Sequence, residues 1–251
     1  MNQLLIRKLR HTKNKILNKY SHVKNALNNL RSINNSKLSY SQCGEDLIIE
    51  FIFNSLNIKN PFYLDIGANH PTYLSNTYFF YKNGCNGICI EPDPILFDYF
   101  KKKRSRDICI NCGVGTGKER LENFYIMTTK TLNTFSNETA ESYQNYGSNK
   151  IEKIIPIKLL PIENILDKYT NRPINFVSLD TEGHDLEILK NFCFSKYKPE
   201  VFCIETLTYT EDKTEKKIPA IINLMENNGY FVYADTYINT IFVNNNSWVN
   251  R

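Results

Sequence analysis

Phe62-Tyr63-Leu64-Asp65-Ile66-Gly67-Ala68-Asn69 is an apolar run that ends in an acid and a turn, and Gly87-Ile88-Cys89-Ile90-Glu91 repeats that plan further along the chain. Strands that read as near-continuous apolar runs belong to parallel sheets covered by helices on both faces. The flanking segments agree. Helical spacing is found over residues 45–56, 73–83, 95–103, 161–169, 183–192 and 215–228. Pro92 and Pro94 open the third of these, where a first-turn proline is at home. Further strand-like runs cover 107–112, 174–179 and 201–205, and 230–234 with 239–243 reads as a terminal hairpin. Alternation of this kind predicts an α/β fold, with a mostly parallel seven-stranded sheet closed by an antiparallel C-terminal hairpin. Residues 115–160 are less regular, with strand-like 122–127 and 154–159 around a polar loop at 128–150.

The 251 residues are 41% hydrophobic and 13% aromatic, too apolar for a disordered chain. No run approaches the roughly 18 apolar residues of a membrane span, so the cytoplasm is the default location. Arg7, Lys8 and Arg10 occupy the place of a signal peptide's apolar centre. Residues 1–38 hold nine Lys or Arg and no acid, and the remaining 22 basic residues against 26 acids leave the body at −4. A mildly acidic body argues against nucleic acid as partner.

The leader carries Ile6, Leu9, Ile16, Tyr20, Val23, Leu27 and Leu30 at helical spacing, which predicts a basic amphipathic N-terminal helix. Residues 1–38 thus form a leader and linker, and 39–251 the main domain. The helix has three open readings: docking on its own domain or on a second subunit in a homo-oligomer, peripheral contact of residues 1–31 with an anionic membrane, or a disordered arm. The seven cysteines are odd in number and lie in apolar contexts, so they read as buried thiols. Cys109 and Cys112 have C-x-x-C spacing but no second pair at zinc distance, and belong to a core strand.

Ligands of an open parallel sheet bind outside the carboxyl ends of its strands. The first strand ends in Asp65, Gly67 and Asn69, where the glycine permits close approach of backbone to a ligand. The second strand ends in Glu91, whose carboxylate can take both hydroxyls of an adenosine ribose. A nicotinamide dinucleotide would need G-x-G-x-x-G to seat its diphosphate, and Gly67 is followed by Asn69, Pro71 and Thr72 instead. S-adenosylmethionine carries no phosphate and needs no such cradle.

Five ordered segments, Ser41-Gln42-Cys43-Gly44-Glu45-Asp46, Asp65-Ile66-Gly67-Ala68-Asn69-His70-Pro71, Ser75-Asn76-Thr77, Gly87 through Glu91-Pro92, and Leu179-Asp180-Thr181-Glu182-Gly183-His184-Asp185 through Lys190, resemble the FkbM family of S-adenosylmethionine-dependent methyltransferases. The resemblance runs over residues 40–243 and is loose at 115–160. It implies a Rossmann-like class I methyltransferase fold, with Ser41, Gln42, Asp65, Gly67, Asn69, Ser75, Asn76, Glu91 and Pro92 around the cofactor. It also implies O-methylation, usually of sugars or polyketide-derived hydroxyls.

The fourth strand ends in Asp180, Glu182, His184 and Asp185, a density of ionisable groups that points to chemistry. A hydroxyl is a poor nucleophile until its proton leaves, and His184 is the first candidate base, assisted by Asp180 and Glu182. Its place at a helix amino terminus disfavours imidazolium. His70 is the reserve. Asp180 and Glu205 end adjacent strands and are candidate ligands for Mg²⁺ or Mn²⁺, which would acidify the hydroxyl. Here the chain resembles metal-dependent catechol-type methyltransferases, which follow the second acid with Asn where this chain has Thr206. The expected function is therefore an S-adenosylmethionine-dependent O-methyltransferase acting on a carbohydrate, in particular a nucleotide-activated sugar for capsule or other surface glycan. The alternatives are a nicotinamide oxidoreductase and a non-catalytic scaffold.

Overall fold

The apolar runs pair in one seven-stranded sheet. The computed structural model describes residues 36–146, 148–170, 172–208 and 214–251, so the leader helix lies outside the described residues. Ser39–Arg251 forms one unit. Its elements are α1 (Glu45–Ser55), β1 (Phe62–Ile66), α2 (Tyr78–Lys82), β2 (Asn86–Ile90), α3 (Pro94–Lys103), β3 (Ile108–Ile110), β4 (Gly113–Gly115), β5 (Arg120–Met127), α4 (Asn137–Tyr146) and β6 (Ile151–Pro161). Then follow α5 (Ile162–Tyr169), β7 (Phe176–Leu179), α6 (Asp185–Lys190), β8 (Val201–Glu205), α7 (Pro219–Asn227), β9 (Tyr230–Asp235), β10 (Asn239–Asn244) and α8 (Asn245–Val249). Strands β3, β2, β1, β7 and β8 are parallel, and β10 joins β8 and β9 antiparallel.

Strand alternation distributes the core. Phe62, Leu64 and Ile66 face a cluster with Ile162, Ile165, Leu166, Ile188 and Met225 from α5, α6 and α7. Tyr63 packs on the other side among Ile49, Ile52, Phe53, Phe80 and Phe100 from α1, α2 and α3. Both sheet faces are therefore dry, which is why the strands carry few polar residues.

Four expectations need correction. The helix foreseen at 73–83 shrinks to α2. The His70 ring accepts the N–H groups of Thr72 and Tyr73, and Ser75 Oγ accepts that of Tyr78, so local side-chain bonds hold 70–77 in a loop. The helix foreseen from 215 begins only at Pro219, because the residue before a proline is disfavoured in α conformation. The strand at 107–112 ends at Ile110, and the chain passes into a second sheet, β4-β6-β5. Within that sheet β5 and β6 pair antiparallel from Arg120↔Leu159 to Met127↔Ile151. The polar loop at 128–150 contains α4, begun by Ser136, whose Oγ accepts the Thr139 N–H at 3.1 Å.

All seven cysteines are free, but only Cys85, Cys89, Cys112 and Cys203 are buried, while Cys43 is exposed. Cys109 packs with the cluster under α1–α3 and Cys112 with the opposite one, so the C-x-x-C pair is split across the sheet. Among the described residues no helix is long and apolar enough to cross a membrane.

Candidate active site

A cavity of about 400 Å³ opens at the carboxyl ends of β1, β2, β7 and β8. Eight of the nine cofactor candidates line it: Gln42, Asp65, Gly67, Asn69, Ser75, Asn76, Glu91 and Pro92. Ser41 does not; its hydroxyl donates to Asp46 Oδ1 at 3.0 Å. Asp46 also accepts from Ser39 and the Tyr40 N–H, and Glu45 accepts from Thr236, Asn239 and the Cys43 N–H. These two buried acids at the start of α1 tie down the bend that carries Gln42.

Gly67 turns the chain out of β1 with φ +74°. A Cβ there would lie 1.7 Å from the backbone oxygen of Asp180. The glycine is thus demanded by contact with the neighbouring strand end, beyond the turn and the ligand approach expected from the sequence.

Glu91 is buried, and each carboxylate oxygen accepts one backbone N–H, from Asn69 at 2.7 Å and from Asp93 at 2.7 Å. Burial pushes its carboxyl up to about 8, against the pull of those two bonds. Asp65, also buried, accepts from Thr77 at 2.5 Å. Asn76 donates to Ser178 Oγ at 3.2 Å.

Across the cavity stand the candidates from β7 and β8. Asp180, Glu182 and Glu205 each place a carboxylate oxygen so that all lie within 4.8 Å of one another. Burial first, and then the charge of nearby carboxylates including Asp185, raises all three carboxyls above the ordinary range. Glu182 adopts φ 51° ahead of Gly183, and its carboxylate accepts from Tyr143 at 2.9 Å. Asp185 serves the backbone: its Oδ1 accepts the Thr181 N–H at 3.0 Å and the Thr181 hydroxyl at 3.1 Å, closing the turn into α6. Three of the four ionisable groups at this strand end therefore face the cavity.

His184 lines the cavity and sits at the amino end of α6 without capping it. Its Nε2 is buried and has no hydrogen-bond partner among the described residues. Burial, then the nearby Arg120 charge, lowers its pKa, so the ring stays neutral. His70 lies outside the lining, and its Nδ1 is occupied by the loop amides.

Sequence reasoning missed the contribution of the second sheet. Lys130, Thr131, Leu132 and Asn133 follow β5 into the lining, with Phe124 and Phe135 packed at 4.6 Å between ring centroids. Asn69 Nδ2 donates to the Lys130 carbonyl at 3.1 Å, and Asn133 Nδ2 to Asp93 at 3.1 Å. The hydroxyl of Thr134 donates to the Glu182 carbonyl at 3.2 Å. The Ser136 cap was the one local signal that this stretch is ordered.

Residues 65–232 match the family model described as the methyltransferase FkbM domain. No curated protein sequence matches. Among solved structures, the chain is similar to methyltransferase FkbM from Methylobacillus flagellatus KT, with 17% identity and a TM-score of 0.43 over 74% of this chain and 43% of that one. The chain thus spans less than half of that protein's length. It is also similar to a TehB-like S-adenosylmethionine-dependent methyltransferase from Corynebacterium glutamicum, with 10% identity and a TM-score of 0.42 over 89% and 98% of the two chains. A third is magnesium protoporphyrin IX methyltransferase from Synechocystis, solved with bound S-adenosylmethionine, at 10% identity and a TM-score of 0.38 over 80% of each chain.

Proposed function

The chain belongs to the FkbM methyltransferase family, and from that premise we propose that it is a cytoplasmic S-adenosylmethionine-dependent O-methyltransferase whose acceptor is a carbohydrate hydroxyl, in particular that of a nucleotide-activated sugar used for surface glycan. The observation that supports this reading is one cavity lined both by the acids and amides of the β1 and β2 ends and by His184 with the carboxylates of β7 and β8.

The donor set suits the cofactor. Each Glu91 oxygen spends one acceptor position on a backbone amide and keeps another for a ribose hydroxyl. Among the described residues lining the cavity, Asp65, Glu91, Asp180, Glu182, Glu205 and Glu215 stand against the single cation Lys130. That set gives a nicotinamide dinucleotide's diphosphate one cation to pair with, whereas a sulfonium needs none. When bound, S-adenosylmethionine supplies an electrophilic methyl group. The residues around it align an acceptor hydroxyl, and such positioning is worth on the order of 7–11 kcal/mol. Neutral His184 takes the hydroxyl proton on Nε2, and Asp180 and Glu182 orient the acceptor by accepting hydrogen bonds from its neighbouring hydroxyls. Thermal protection by S-adenosylmethionine and not by NAD, followed by a screen of nucleotide sugars for a mass gain of one methylene, tests the assignment. Protection by neither cofactor would favour the scaffold.

Glu91→Ala should weaken S-adenosylmethionine binding by about 1.5–3 kcal/mol in calorimetry, the range for hydrogen bonds to a charged group. Ribose hydroxyls donate to the ionised carboxylate, so binding expels a proton below about pH 8, where the buried acid is protonated. Affinity should therefore fall as the pH is lowered from there, and Glu91→Gln should flatten that dependence. An Ala variant with wild-type affinity would remove the ribose role.

The convergence of Asp180, Glu182 and Glu205 supports a second reading, in which Asp180 and Glu205 hold Mg²⁺ or Mn²⁺, hard cations that take carboxylate oxygens and acidify a bound hydroxyl. Exhaustive chelation should then abolish turnover, with either ion restoring it. Full turnover after chelation would leave the carboxylates as hydrogen-bond partners of the acceptor without an ion.

A further inference from the structure

Arg104 follows α3, is fully buried, and does not line the cavity. Its Nε donates to Asp107 Oδ2 at 2.7 Å, and Asp107 also accepts from the Tyr63 hydroxyl at 2.8 Å and the Gly87 N–H at 2.9 Å. Pairing with Asp107 and contact of the guanidinium with the Tyr81 ring at 4.8 Å would satisfy a purely structural cation. Two of its donors, however, leave the pair for the loop after β1. Nη1 donates to the Pro71 carbonyl at 2.9 Å, and Nη2 to Thr77 Oγ1 at 2.8 Å.

A guanidinium only donates, so Thr77 Oγ1 must accept there and direct its own hydrogen elsewhere. That hydrogen goes to Asp65 Oδ2 at 2.5 Å. Asp65 also takes a hydrogen bond from Ser178, which accepts from Asn76 Nδ2 at 3.2 Å. The directions run from Arg104 through Thr77 to Asp65, and from Asn76 through Ser178 to the same carboxylate. Burial raises the Asp65 carboxyl, while Thr77 and the Arg104 charge pull it back toward the ionised form. The other hydrogen bonds of the guanidinium hold Asp107, Tyr63, Cys89 and the loop itself.

We propose that Arg104 is a positioning residue for cofactor recognition: it fixes the 71–77 loop at both ends and, through Thr77, sets the orientation of Asp65 and Asn76 in the cavity wall. The proposal rests on the reading of this cavity as the S-adenosylmethionine site. Lysine keeps the charge of Arg104 but cannot reach Asp107, Pro71 and Thr77 together, since its ammonium is a single point.

The test measures the Kd for S-adenosylmethionine by calorimetry, and KM and kcat with respect to it, well below each variant's Tm. Arg104→Lys and Thr77→Val should each raise Kd and KM about tenfold or more, the cost of losing one charge-assisted or buried hydrogen bond. The kcat at saturating cofactor should stay within about threefold, because the loss is in ground-state binding. The double variant should fall short of the product of the two effects, as members of one chain do. Tyr63→Phe, which removes a hydroxyl from the ion pair but leaves the loop bonds intact, should lower Tm with Kd unchanged. Lowered Tm with wild-type Kd in both Arg104→Lys and Thr77→Val would overturn the proposal and make Arg104 a stability residue. Should Arg104→Lys fail to fold, Thr77→Val alone decides in the same way. Wild-type protein without affinity for S-adenosylmethionine would overturn the cavity reading itself, a result distinct from binding that the variants leave untouched.

Discussion

Replacing His184 by alanine should lower kcat by at least about 10²-fold while the affinity for S-adenosylmethionine stays near the wild-type value, because a general base acts only in the transition state. Nε2 is the one buried side-chain nitrogen without a partner among the described residues, so in the tautomer with hydrogen on Nδ1 it is open to a hydroxyl delivered to it. The pH profile gives the sign. Burial and Arg120 hold the ring below its ordinary pKa, so the neutral form persists to lower pH than for a free histidine. Activity should fall on the acid side of the profile only once the imidazole takes up a proton, and Arg120→Ala should move that limb upward. Single-turnover measurements with saturating cofactor check both points. Full activity in His184→Ala would remove the chemistry from this strand end.

Gly67→Ala should be the most damaging small change in the fold. The new Cβ would meet a backbone oxygen at 1.7 Å, which no rotamer can relieve, and φ +74° is disfavoured for any L side chain. Strain at such a dihedral costs about 1–3 kcal/mol and forced overpacking about as much again. For a chain of this size the combined loss lowers Tm by roughly 10 °C. Gly84→Ala is the control, since φ is +96° there but nothing lies within 4 Å of the added carbon. It should show the dihedral cost alone. Equal Tm shifts in the two variants would mean that the β1 and β7 ends part without penalty, and that the close approach of Gly67 to Asp180 has no role in shaping the cavity.

The sequence displayed the large sheet because each strand is a local apolar run, and the runs at 62–66 and 201–205 coincide with β1 and β8. Helix limits were less legible where side chains compete for backbone amides. His70 and Ser75 shorten α2, and Pro219 delays α7. The segment 113–161 was legible only as two strands, since the β5–β6 pairing brings together residues as far apart as Arg120 and Leu159. The place of its loop over Asn69 and Glu182 depends on a bond accepted by the Lys130 carbonyl and on bonds donated by Thr134 and Tyr143 that no spacing announces.

By itself the sequence determined the α/β class, the parallel core with its terminal hairpin, and the acids and glycine at the ends of the first, second, fourth and fifth strand runs, because period and turn chemistry are local properties of the chain. The tertiary structure alone decided which of those residues share a cavity and in what state. It turned Asp185 to the backbone and brought Asp180, Glu182 and Glu205 within 4.8 Å of one another. It left His184 Nε2 without a partner and buried Arg104 behind Asp65. Burial, proximity of like charges and the direction of a hydrogen bond arise only when segments distant in sequence are packed against each other, and these are the quantities that set the chemistry of the site.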